Sequence, residues 1–291
     1  MLVTWKYRPR GSVVEKVDPR ARWIFSFLLL FTIVQFWDVR FLLFFAAIVF
    51  TQYALSKVTW AESRRAWTFI LILVVGIIAI LTLFTGRGGD QSALGVGHIL
   101  WRKEWRVLGL SIHPTITVER VWFAASQVVR MLSISALFLI VPYTMNPRHY
   151  GVTFRRMGVP DSVSFSMDLA FRFVPTLARD FDTTLAAQKA RGFEVEKLDG
   201  GVFAQIRKLA PLVVPVTMNA ILSGEDITNA MDLRCFGTQP RTWVHKLTYK
   251  RWDYVLIGVM VVLFIVAAVV RHIFGIGDFW VPPWAFAWAG G

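Results

Sequence analysis

Five stretches of the chain are apolar almost without interruption, and polar, mostly basic segments separate them. Trp23 to Trp37 is the first; the short turn Asp38-Val39-Arg40 follows, and Phe41 to Leu55 is the second. These two are short and nearly contiguous, which predicts a tight helical hairpin. The polar stretch SKVTWAESRRAW leads into a third run, Trp67 to Thr85, uncharged and broken by the glycines of GRGGDQSALGVG. Within the loop that follows, ILWRKEWRVLGLSI reads as a short hairpin or an interfacial segment. Thr115 to Tyr143 is longer and carries Glu119, Arg120 and Arg130; Tyr254 to Val270 is the last run, before an aromatic tail, FWVPPWAFAW, of the kind found at membrane interfaces. A helix crosses a bilayer with about 20 mainly apolar residues, fewer where flanking side chains snorkel. The expected fold class is therefore an all-α polytopic membrane protein with about five transmembrane helices.

Residues 146–251 break this pattern. They hold no uncharged stretch of spanning length, and their apolar positions recur as on amphipathic helices. Pro160 followed by Asp161 opens a helix expected to run to Arg191, where Gly192 supplies the stop. KLDGG is a turn, and a second helix should run from Val202 to Arg234, kinked at Pro211 and Pro215. The expected organisation is an N-terminal cytoplasmic segment (1–22), a first membrane region (23–143), a cytoplasmic region of long amphipathic helices (144–251), and a final membrane helix with its aromatic tail (252–291).

Composition narrows the class. The 291 residues are 55% hydrophobic and 18% charged, with mean hydropathy +0.52, against a quarter charged in ordinary soluble domains. The formal net charge is +13. In a soluble protein that would suggest nucleic acid; here it reads as basic loops held on the cytoplasmic side, so no nucleic-acid partner is expected. The region 146–251 alone carries 15 Lys and Arg, which puts it and the N-terminus inside, the C-terminus outside, and the protein in a plasma membrane as a multi-pass chain. The loop 86–114, with Arg87, Arg102, Lys103 and Arg106, is a mild exception. The first 22 residues lack the apolar core of a cleavable signal peptide. One cysteine, Cys235, excludes an intrachain disulfide framework or a cysteine-based zinc cluster.

Candidate chemistry sits in a repeat. AAQKARGFE (186–194) and NAMDLRCFG (229–237) align on Arg191 and Arg234, 43 residues apart, with alanine four before each arginine and phenylalanine two after. Both fall at the C-terminal ends of the amphipathic helices. An arginine at a helix end, beside small residues such as Ala190 and Gly192, can enter a groove on a partner and offer five planar donors. The structural alternative is that each arginine snorkels or satisfies carbonyls of the last turn. Two copies in one context favour docking to a partner with two equivalent grooves.

Other residues carry weaker readings. Arg130 is an intramembrane charge and needs a protein partner; a backbone carbonyl or acidic side chain at the junction with the amphipathic region is expected, ahead of a transport role. The five histidines show no metal-ligand spacing. Ser223-Gly224 reads as a helix-packing pair and Cys235 as a small packing residue. GRGGDQ lacks the lysine of a phosphate loop, so the chain should not hydrolyse ATP.

Four segments together carry a family resemblance. YRPRGSVVEKVDPRAR is centred on Asp18-Pro19-Arg20. MNPRHYGVTFRRMGVP follows the first membrane region. FRFVPTLARDFDTTLAAQKARGFE holds Arg172, Pro175 and Ala190-Arg191-Gly192. APLVVPVTMNAILSGEDITNAMDLRCFG holds Pro211, Pro215, Glu225 and Leu233-Arg234-Cys235. The chain resembles the transmembrane coupling (T) component of energy-coupling factor (ECF) transporters, over nearly its whole length; Leu233 and Cys235 depart from the Ala-Arg-Gly pattern. The resemblance implies a non-catalytic subunit. Its two Arg motifs would dock two ATP-binding-cassette ATPase subunits, where ATP and Mg reside. It would transmit their motion to a membrane-embedded S component that binds a vitamin or transition-metal ion. No cofactor is implied in this chain. From another class stands a polytopic membrane enzyme whose basic region acts on phosphorylated or lipid substrates; a third reading is a membrane scaffold held by a basic surface.

Overall fold

Local capping chemistry sets where the first helices begin. In a computed structural model describing residues 7–80, 99–102, 105–107, 110–112, 115–193, 202–239 and 247–283, Ser12 and Glu15 form a reciprocal capping box that opens α1 (Val13–Lys16). Asp18 caps α2 (Pro19–Gln35) by accepting from the Arg20 backbone, and Pro19 occupies the first helical position, where its missing N–H is not needed. Asp18-Pro19-Arg20 is thus a helix start. Asp38 repeats the device at α3 (Val39–Leu55). The remaining helices are α4 (Trp60–Ala79), α5 (Val118–Thr144), α6 (Tyr150–Arg156), α7 (Asp161–Ala190), α8 (Val202–Leu233) and α9 (Arg251–His272).

The chain divides into two units, residues 7–145 with 248–291, and residues 146–247. In the first, α2 packs on α9, and α5 packs on α3 and α4. Leu29, Ile33, Phe36, Leu42, Phe45, Val49, Leu137 and Met260 form the core. At the end holding the N-terminal segment, polar groups tie the helix termini. Arg10 donates to the Tyr143 carbonyl and to Glu62, both at 2.8 Å. Arg22 donates to the Thr144 carbonyl at 3.1 Å. The Asp18 N–H donates to Asp253 at 3.0 Å, and Asp253 also accepts from the Lys250 N–H. The buried Arg20 guanidinium pairs with Asp18 and lies 3.7 Å from the centre of the Tyr249 ring; the Asp18 hydrogen bond holds Arg20 above its ordinary pKa. Burial pushes the Tyr249 phenol up.

At the opposite end, residues after α9 fold back over the α2–α3 turn. The Trp37 N–H donates to the Gly277 carbonyl at 2.9 Å. Gly277 has φ +107, and any Cβ there would collide with the Phe36 ring. Phe123 stacks on Trp37 and meets Phe279 edge-on. Arg130 donates to the Phe36 carbonyl, the C-cap of α2, with its guanidinium 4.3 Å from the Trp37 ring centre. The carbonyl partner matches expectation, but the place does not: Arg130 serves the α2–α3 turn, far along α5 from Thr144, because the short α2 ends halfway up its longer neighbour.

The all-α expectation holds: long helices dominate the fold, with two short strand pairs beside them, Ile99–Arg102 (β1) antiparallel with Thr115–Thr117 (β4) and Trp105–Val107 (β2) with Leu110–Ile112 (β3), the latter consistent with a short hairpin in ILWRKEWRVLGLSI. The expected number of spans needs correction. Among the described residues, only α5 and α9 are long and apolar enough to cross a membrane, rather than about five helices. At 17 residues, α2 and α3 reach about 26 Å, short of the ~30 Å hydrocarbon core, and Glu62, Arg64 and Arg65 charge the start of α4. The end of the third apolar run (81–85), GRGGDQSALGVG, KLDGG and residues 284–291 lie outside the described residues.

The second unit is a turn (Pro147–His149) followed by α6, α7 and α8. α6 meets α7 closely: a Cβ on Gly151 would stand 2.6 Å from the Ser164 carbonyl oxygen. Tyr150 stacks on Phe171 with centroids 4.9 Å apart, and Arg155 pairs with Asp161 at 2.9 Å. α7 and α8 run antiparallel. Phe165, near the start of α7, meets Phe236, just past the end of α8, at 4.9 Å between ring centroids. Gln188, at the other end of α7, donates to the Pro211 carbonyl near the start of α8 at 3.2 Å. Pro215 has no N–H to offer that carbonyl, which leaves an acceptor that the neighbouring helix uses.

Candidate docking site on two helix ends

Both arginines sit at the C-caps of their helices, and both helices end with the same hydrogen bonds. In α7, the Gly192 N–H donates to the Lys189 carbonyl at 3.0 Å and the Phe193 N–H to the Gln188 carbonyl at 3.0 Å. In α8, the Cys235 N–H donates to the Asp232 carbonyl at 2.9 Å and the Phe236 N–H to the Met231 carbonyl at 3.0 Å. Each end is a Schellman motif. The residue after each arginine is left-handed, Gly192 at φ +85 and Cys235 at φ +53. The repeat read in the sequence is therefore a repeat in backbone geometry.

This geometry separates the two readings of the arginines. Backbone N–H groups already take carbonyls of the last turn, so the guanidinium groups are not used to cap them. Arg191 and Arg234 are both exposed, and among the described residues neither side chain forms a hydrogen bond or ion pair. Ala190 and Gly192 are exposed beside Arg191; Leu233, 87% exposed, and Cys235 flank Arg234. Among the described residues the neighbours flanking Arg191 are small, whereas Leu233 gives the second end an apolar shoulder. Because α7 and α8 are antiparallel, the arginines lie at opposite ends of the pair. Phe165, which meets the α8 end, stands 26 residues before Arg191, about 39 Å along a helix.

The supporting positions divide. Pro211 acts through the carbonyl that accepts from Gln188. Pro175 and Pro215 also lie inside their helices. Arg172 and Glu225 are exposed, and neither pairs among the described residues. Cys235 is exposed and left-handed, not a packed small residue. A Cβ added at Gly224 would meet nothing within 4 Å, so Ser223-Gly224 is not a close packing pair. Gln188 and Phe165, which join α7 to α8, were missed by sequence reasoning; their partners lie 23 and 71 residues away, and no local spacing announces them. Among the described residues no three His, Cys, Asp or Glu cluster as a metal site would require.

Long apolar helices joined to a unit of amphipathic helices define a membrane-associated α-helical protein. Comparison with known proteins gives the family: residues 11–245 match the model of the cobalt transport protein family, CbiQ, and the chain belongs to that family of non-catalytic membrane transport subunits of the energy-coupling factor type. It is similar to the energy-coupling factor transporter transmembrane protein EcfT of Ruminiclostridium cellulolyticum, with 25% identity over 281 residues, 92% of this chain and 97% of that one. It is also similar to the EcfT proteins of Thermanaerovibrio acidaminovorans, 27% identical over 88% of this chain and 91% of the relative, and of Thermosediminibacter oceani, 28% identical over 85% and 89%.

Proposed function

We propose that this chain couples two ATP-binding-cassette ATPase subunits to a membrane-embedded S component, and that Arg191 and Arg234 are its two docking points. The carrying observation is the pair of identical Schellman ends, each presenting an exposed arginine at opposite ends of one antiparallel helix pair. A single groove would need only one such end; two serve two similar subunits that move relative to each other. ATPase closure would then pull on both ends of the α7–α8 pair, and the joints at Gln188–Pro211 and Phe165–Phe236 would carry the displacement. The S component would supply the site for a vitamin or transition-metal ion. The relatives' shared name supports the transporter setting.

In this reading the N-terminus and α6–α8 are cytoplasmic, as the basic residues of 146–251 favour. The apolar stretches of the shorter α2, α3 and α4, beyond their charged first turns, join α5 and α9 in the bilayer, which thins or is bridged by snorkelling side chains around them. The test is co-purification from detergent-solubilised membranes. ATPase subunits should accompany the wild-type chain and be lost from the Arg191→Glu/Arg234→Glu double variant. A folded wild type that brings down no ATPase, or a double variant that keeps its full complement, overturns the proposal.

A further inference from the structure

An apolar groove of about 910 Å³ runs along the outside of the first unit between α3 and α9. Phe41, Phe44, Val262, Val266 and Val270 are among the side chains that line it, and one charged residue, Arg40, stands at its end beside the α2–α3 turn. We infer that this groove holds one acyl chain of an anionic phospholipid, whose phosphate Arg40 binds. The inference does not depend on the docking of ATPases.

Three observations carry it. The first is length. From Gly258 to Val270 the groove follows twelve helical steps, about 18 Å, close to the ~15 Å of one leaflet's hydrocarbon. The second is the placement of charge. Arg40 lies in the first turn of α3, so the cation sits where the groove ends and a headgroup would begin. The third is how Arg40 is held. The Trp280 ring covers one face of its guanidinium, 3.1 Å from ring centroid to carbon. Among the described residues the guanidinium makes no hydrogen bond, so its in-plane N–H edges remain for an anion. Planar donors of this kind match a phosphate bidentately, and tryptophan is favoured at headgroup depth. A partner helix would have to bring an acidic side chain to that depth; a phospholipid carries the anion and the apolar tail together.

The test is photo-crosslinking of the full chain in bilayers of phosphatidylcholine containing a small fraction of phosphatidylglycerol. A benzophenone side chain replaces Val262 in the groove, or Ile72 on the exposed face of α4 as the comparison site, and adducts are identified by mass. The expected result is a phospholipid adduct at position 262, enriched in phosphatidylglycerol about fivefold over the position 72 adduct, the factor that roughly 1 kcal/mol per basic residue at an anionic surface provides. Arg40→Gln should remove the enrichment and Arg40→Lys should restore part of it. Gly258→Leu should lower the yield at 262, since a Cβ at 258 meets nothing within 4 Å and the new side chain fits the fold while filling the groove. Adducts that mirror the bulk lipid and ignore Arg40→Gln overturn the inference, as does an adduct of polypeptide mass.

Discussion

The α7 end and the α8 end reach one backbone geometry from different residues. Both close with the same pair of N–H···O=C bonds and put an arginine at the C-cap. They differ at the next position, where Gly192 takes the left-handed conformation freely and Cys235 must accept it against its own Cβ. They differ again two residues past the arginine: Phe236 packs on Phe165, anchoring its end to the neighbouring helix. A strained residue held in place by a ring contact in one copy does what an unstrained glycine does in the other. The shared feature is thus the presentation of the arginine, and the sequence around it is free to vary where another contact compensates.

The strongest way to break this equivalence is to reverse each charge singly. If the ends are interchangeable, Arg191→Glu and Arg234→Glu should each weaken ATPase binding to a similar extent, by about 30-fold, as loss of one partner of a close charge pair costs ~2 kcal/mol or more. Titrating purified ATPase subunits against each variant checks this; a variant with unchanged affinity would leave only one end in the interface. Next in size is Phe236→Ala, which should destabilise the α7–α8 pair by about 1–2 kcal/mol through loss of the ring contact and buried area. Phe193→Ala should cost less, and thermal unfolding compares the two. A residue swap gives the sharper result. Gly192→Ala should cost about 1 kcal/mol by forcing a Cβ into left-handed backbone, and Cys235→Gly should gain somewhat less than that. Hydrogen exchange at the Phe193 and Phe236 amides reads the local closing bond directly.

The sequence carried the parts of this site that are local and left out those that are not. The helix start at Pro160-Asp161 and the stop at Gly192 follow from capping chemistry within four residues and were read; the start at Asp18-Pro19 is equally local but was noticed only as part of a family segment. The arginine repeat is legible for the same reason. A hairpin in ILWRKEWRVLGLSI was read only as one of two possibilities, because strands of three or four residues leave little periodicity to detect. The expected count of spans rested on apolar runs with an allowance for snorkelling flanks, and the first two runs, already short and separated by the Asp38 turn, give helices of only 17 residues. Arg130 was expected to meet a carbonyl or an acidic side chain at the junction with the amphipathic region; it meets a carbonyl, at another place along α5. Only the packing of a short α2 against a long α5 brings the Phe36 carbonyl to that depth.

The smallest effect separates the arginine ends from the unit that carries the membrane helices. Hydrogen bonding from the Thr59 side chain, with Arg10 and Arg8 behind it, holds the Glu62 carboxyl below its ordinary value. A depressed carboxylate contributes stability that is present above its unfolded pKa and lost as pH falls through the lower, folded one. Acidification through the carboxylate range should therefore loosen the tie from Arg10 to Glu62 and lower the melting temperature slightly, since Glu62 is partly exposed and its ion pairs are screened. Glu62→Gln should flatten that part of the pH profile. Arginine stays charged throughout, so the Arg191→Glu and Arg234→Glu variants should keep the wild-type pH slope. If the slope instead vanishes in the arginine variants and survives in Glu62→Gln, the acid-sensitive contact lies at the helix ends, and their equivalence depends on a carboxylate rather than on backbone geometry alone.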